Sequence, residues 1–104
     1  MDELLNALIE ATHYDFALYA WNHAPDSDYG VVSLDSGEDL VCDNKHVEKG
    51  LSGYVDYFTR DATSTPKDAI ESVLNGFCAF RLNSVQFEDD TEYIHYEWVV
   101  KLYA

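Results

Sequence analysis

The apolar patterning of the chain predicts an α+β fold. It is an antiparallel or mixed β-sheet with two α-helices packed on one face, in the order α-β-β-β-β-α-β-β. Three observations carry this. Apolar residues open the chain at helical spacing (Leu4, Leu5, Leu8, Ile9, Ala11). A second, well-punctuated helical pattern lies between Ser64 and Gly76. Strict alternation then fills the C-terminal stretch, where Ile94, Tyr96, Trp98, Val100 and Leu102 interleave with His95, Glu97, Val99 and Lys101.

The first helix is expected from Asp2 to about His13, with Asp2 and Glu3 in its first turn, where carboxylates suit the positive end of the helix dipole. Residues 16–21 (FALYAW) read as an aromatic-rich strand, and the polar stretch 22–28 as a loop containing a proline. Residues 29–34 (YGVVSL) and 40–42 form a hairpin around the turn 35–39. A polar loop, 43–50, precedes a strand at 54–60 (YVDYFTR). In the second helix Ser64 or Thr65 is the cap, Pro66 fits the first helical position, Ile70, Val73 and Leu74 form the apolar stripe, and Asn75-Gly76 is the stop. A long hairpin closes the chain: residues 77–87 run in, 88–92 (EDDTE) turn, and 93–103 run out. The apolar phase changes between Leu82 and Val85, which predicts a bulge.

The 104 residues fit a single domain, 1–104, with an aromatic content of 14% that excludes a disordered chain. Twenty Asp and Glu stand against six Lys and Arg, a formal charge of −14. Phosphate affinity is built from Lys and Arg, so binding to nucleic acid or to an anionic membrane is not expected. The opening residues suit an acidic amphipathic helix rather than an export signal, and no apolar run approaches membrane-spanning length, so a cytoplasmic location is expected.

No catalytic or metal-binding pattern emerges. His13, His23, His46 and His95 have neither i, i+4 spacing nor an HExxH context, and Cys42 and Cys78 form no knuckle. Cys42 precedes an acid and Cys78 lies among aromatics, settings that suppress the thiolate. No glycine pattern matches a phosphate loop. No catalytic residue, metal or cofactor is therefore expected. The adjacent carboxylates fall in turns, where Asp is favoured for backbone reasons. The aromatic content of the strands exceeds what a core of this size needs, so Tyr54, Tyr57, Tyr96 and Trp98 are candidates for an assembly interface.

The layout resembles the small tail-completion or tail-terminator proteins of long-tailed bacteriophages. The resemblance lies in YGVVSL, in GYVDYFTR leading into PKDAIESVLN, and in the closing RLNSVQFEDDTEYIHYEWVVKL, and it spans nearly the whole chain in pattern. It implies a non-enzymatic structural protein that forms a ring, typically hexameric, of copies of itself, contacts tail-tube and head-connector proteins, and lets the genome pass through its centre. It also implies a location in the bacterial host cytoplasm during assembly and then in the virion. On that reading Asp35, Glu38 and Asp39 in one loop, and Glu88, Asp89, Asp90 and Glu92 in another, face the channel or a neighbouring ring. The alternative is an acidic DNA mimic or immunity-type inhibitor that binds a basic protein, and an enzyme with an unrecognised site ranks last.

Overall fold

Helix α1 (Asp2–Thr12) places Leu4 and Leu8, one turn apart, in the core. It ends where His13 takes a left-handed conformation (φ 69°) and its N–H donates to the Ile9 carbonyl at 2.7 Å. The structure, a computed structural model, describes residues 2–35 and 51–102. Strand β1 (Phe16–Leu18) is shorter than the sequence suggests, because Tyr19 turns left-handed (φ 71°) and leaves the ladder. Its N–H still reaches the Val32 carbonyl at 2.9 Å.

Strand β2 (Tyr29–Asp35) pairs in parallel with β1 and antiparallel with β3 (Leu51–Thr59). The sheet is therefore mixed. Gly30 sits opposite Phe16, whose ring occupies the space that a side chain at position 30 would need. The expected strand 40–42 lies outside the described residues.

Helix α2 (Thr65–Phe77) is capped at Ser64, one of the two expected positions, so Thr65 is its first residue and Pro66 its second, one place later than expected. The Ser64 hydroxyl makes no bond to a helix N–H, however; it donates to Asp68 Oδ2 at 3.1 Å. The expected stop at Asn75-Gly76 is not used. Helix continues to Phe77, and Cys78 passes directly into extended backbone (φ −159°, ψ 167°) while its N–H bonds the Leu74 carbonyl. Packing of Phe77 and Cys78 against the core outweighs the weak helix preference of glycine.

Strands β4 (Cys78–Glu88) and β5 (Tyr93–Leu102) form the long hairpin. The expected bulge is present as a register shift between Leu82 and Ser84. The strand order is β1-β2-β3-β5-β4, so among the described strands β1 and β4 are the edges. The alternating residues of β5 meet those of β3 (Val55 with Trp98, Tyr57 with Tyr96), and both helices cover that face. Trp98 is the largest fully buried side chain, with its Nε1–H donating to Glu71 Oε2 at 2.8 Å. Among the described residues no helix is long and apolar enough to cross a membrane.

Candidate functional site

The sheet face away from the helices has its own aromatic set. Tyr29 stacks on Phe58 (4.6 Å between centroids), Phe58 stacks on His95 (4.1 Å), and Tyr93 meets Tyr29 edge-on at 5.5 Å. Tyr93 is buried, and its hydroxyl reaches the carbonyls of Pro25 and Ser27 at 3.1 and 2.8 Å, tying the 22–28 loop over this face. Arg60 joins three segments. Its guanidinium lies 4.1 Å over the Tyr93 ring, Nε donates to the Thr91 carbonyl, and Nη1 donates to the Asp26 carbonyl. Sequence reasoning missed Arg60, since a single basic residue at a strand end carries no pattern.

That network fixes the tip of the hairpin. Glu88 closes the turn: its carbonyl accepts the Glu92 N–H at 2.7 Å, and its Oε1 accepts the Thr91 hydroxyl at 3.3 Å. Glu92 is left-handed (φ 64°). Of the four acids expected to act together here, Glu88 turns back toward the sheet, with Oε2 3.7 Å from His95 Nδ1, whereas Asp89, Asp90 and Glu92 are exposed at the tip. Asp35 ends β2, and Glu38 and Asp39 lie outside the described residues.

The aromatic interface expected from the sequence needs correction. Tyr57, Tyr96 and Trp98 are buried in the protein's own core (1%, 7% and 0% exposed), and only Tyr54, at 46%, presents itself to solvent. All three lie on the sheet face that the helices cover, where their area is consumed within the chain. Tyr57 also stacks on Phe16 and donates its hydroxyl to Asp28 Oδ2 at 3.0 Å. Exposed apolar surface lies instead at both described edges of the sheet: Leu18 and Tyr19 by β1 are 42% and 60% exposed, and on β4 Val85 and Phe87 are 52% and 62% exposed. The phase change at the bulge carries Val85 and Phe87 beyond the helices, a consequence that the sequence pattern alone does not show.

His95 is held between carboxylates. Its Nε2–H donates to Asp56 Oδ1 at 2.7 Å; Glu88 and Glu97 lie nearby, Gln86 is its partner on β4, and Phe58 stacks on the ring. The bond to Asp56 raises the imidazole pKa above its ordinary value, burial opposes the rise, and the charges of Asp56, Glu88 and Glu97 add to it. Stability from the protonated ring is therefore fully present below the ordinary histidine pKa and is lost as pH rises through the raised one. The stability difference between the unaltered chain and His95→Gln should shrink between pH 6 and pH 8 in urea titrations; a difference independent of pH would show that the ring does not titrate in this range.

A cleft of about 360 Å³ lies between the end of α1 and the start of α2, lined by Thr12, His13, Tyr14, Asp28, Tyr57 and Thr65 among others. Burial and the adjacent Asp28 push the Tyr57 phenol far above its ordinary pKa, so it stays protonated and acts as a donor. Burial pushes the Cys78 thiol up to about 11, and its Sγ lies 3.4 Å from the Leu74 carbonyl, so it is a thiol at neutral pH. Among the described residues no three His, Cys, Asp or Glu side chains are grouped to hold a metal ion.

A scan against protein-family models finds no match for the chain, and a search of curated proteins finds none either.

Proposed function

We propose that the protein is a tail-terminator subunit: copies of it close into a ring, six-fold by the resemblance, whose acidic lumen passes DNA without holding it. The observation that carries the reading is the presentation of Asp89, Asp90 and Glu92. They project from a turn that is pinned rather than loose, by Glu88, Thr91 and Arg60. A pinned acidic tip repeated around a ring gives an annulus of fixed negative charge, and the formal charge of −14 per copy supplies the field around it. The two described edges of the sheet differ, β1 being short and β4 long, which suits the head-to-tail contacts that a cyclic ring requires.

Native mass spectrometry over a concentration series, with negative-stain images of any assembly, tests the reading. Closed rings with a central hole are expected. A strictly one-to-one complex with a basic protein, and no self-assembly, would transfer the chain to the inhibitor class. The triple variant Asp89→Asn/Asp90→Asn/Glu92→Gln should assemble as the unaltered chain does. Its rings should retain duplex DNA about fivefold or more tightly at low salt, because three repulsive charges per copy are gone. Equal DNA retention by both would remove the tip from the lumen.

A further inference from the structure

We infer that the outer edge of β4 is a self-recognition surface that pairs, antiparallel, with β4 of a second copy. A long strand edge with exposed apolar side chains templates pairing with another strand, and proteins commonly blunt such edges with charges or bulges. β4 has a bulge, and the bulge selects the partner. Before it, Phe80 and Leu82 lie on the helix-side face, opposite Val100 and Trp98. After it, Val85 and Phe87 lie on that face, opposite Tyr96 and Ile94. The phase has moved by one residue, so a regular strand laid along β4 matches face to face on one side of the bulge only.

A second β4 laid antiparallel carries the same shift in reverse, and the mismatch cancels. In the register centred between Asn83 and Ser84, Phe80 meets Phe87 of the other copy and Leu82 meets Val85, each pair formed twice by the two-fold symmetry. Asn83 and Ser84, which together oppose Glu97 at the bulge, then face each other's counterparts. The four apolar residues of this edge are thereby covered, including Val85 and Phe87, which the single chain leaves more than half exposed.

Charge agrees with the same register. On the opposite face Arg81 meets Gln86 of the other copy, with Glu88 two residues along. Diagonal neighbours at about 7–8 Å are within reach of long side chains. Arg81 is exposed, making a 3.4 Å contact to Asn83 Oδ1, and the Glu88 side chain is 39% exposed. The apolar match and the charge match are independent, and both point to this chain as its own partner.

The contact does not rest on the ring reading. A two-fold contact closes on two copies, so it describes the free protein; the head-to-tail contact of a ring, which draws on the same β4 edge, would displace it.

Sedimentation equilibrium of the full chain at about 0.15 M salt, where the repulsion between two chains of charge −14 is screened, tests it. A monomer–dimer equilibrium is expected below the concentrations at which rings close, with hydrogen exchange slowed across residues 79–88 as concentration rises. Arg81→Glu and Glu88→Arg should each weaken the dimer about tenfold, and the double reversal should restore it. Gln86→Glu, which adds a carboxylate opposite Arg81 and spares the hairpin turn, should tighten it about threefold. A monomer at every concentration, or a dimer indifferent to all of these variants, overturns the pairing. Six-copy rings unaffected by the variants would uphold the ring and reject this contact; dimers that obey the charge swap without forming rings would do the reverse.

Discussion

Trp98→Ala should remove about 4 kcal/mol of stability, the largest loss expected from any single side-chain truncation in this protein. Trp98 is fully buried, centred in β5, stacked on Tyr96 at 5.7 Å between centroids, and covered by α2. Truncation forfeits the transfer energy of the indole and leaves a cavity between sheet and helix that neither element can close. It also strips Glu71 Oε2 of its donor, although Lys67 still holds Oε1 at 3.2 Å. A domain of this size is stable by only about 5–15 kcal/mol, so the variant should melt roughly 15–25 °C lower. Trp98→Phe largely separates the two effects, since it keeps most of the volume while losing the hydrogen bond, and it should cost about 1–2 kcal/mol. Urea unfolding followed by far-UV circular dichroism reads both variants, with Trp21 fluorescence as an internal reference. A loss below about 2 kcal/mol for Trp98→Ala would mean that the helices are not seated on the sheet at this point.

Gly53→Ala should be the costliest small change, at about 3 kcal/mol, the upper end of ordinary overpacking. Gly53 lies in β3 opposite Leu34 of β2, and a Cβ there meets the Ser33 carbonyl oxygen and comes within 2.8 Å of the Leu34 Cα. Both obstacles are backbone, so no rotamer change relieves them, and β2 and β3 would have to separate. Gly76→Ala is the control. It sits in α2 with nothing beyond its chain neighbours and its own stretch of helix backbone within 4 Å of the added methyl, and it should stabilise the protein by about 0.5–1 kcal/mol. Opposite signs from the same chemical change, measured by denaturant midpoint, would isolate strand proximity as the cause. If Gly53→Ala were neutral, the close approach of β2 and β3 at this point would be wrong.

Much of the fold was legible in the sequence because its signals are local. Alternation along β5 named Tyr96, Trp98 and Val100 as one buried face, and helical spacing named Leu4, Leu8, Ile70 and Leu74. The bulge was legible from the phase change between Leu82 and Val85. The end of α2 was misread because Asn-Gly is a stop only when the chain is free to turn there, and here Phe77 and Cys78 are drawn into the core. The early exit of β1 at Tyr19 had no sequence signature, since an aromatic residue gives no warning of a positive φ.

The candidate site was legible only in part. The acidic turn at 88–92 was plain from composition, but its division into a structural Glu88 and an exposed Asp89, Asp90 and Glu92 depended on hydrogen bonds to Thr91, His95 and the Glu92 N–H. Tyr57, Tyr96 and Trp98 have the residue types of an interface. They became core because the helices cover their face of the sheet, and no window of sequence reports what covers a strand.

By itself, the sequence determined what depends on neighbours along the chain: the two helices, the strand periodicity, the acid-rich turn and the charge of −14. The tertiary structure alone decided what depends on neighbours through space. Parallel pairing of β1 with β2, the strand order that leaves β4 at an edge, the exposure of Val85 and Phe87, and the clamp made by Arg60 all join residues distant in sequence. Periodicity fixes which way a side chain points relative to its own strand; which surface then meets it is set by the cheapest way to bury every apolar face at once.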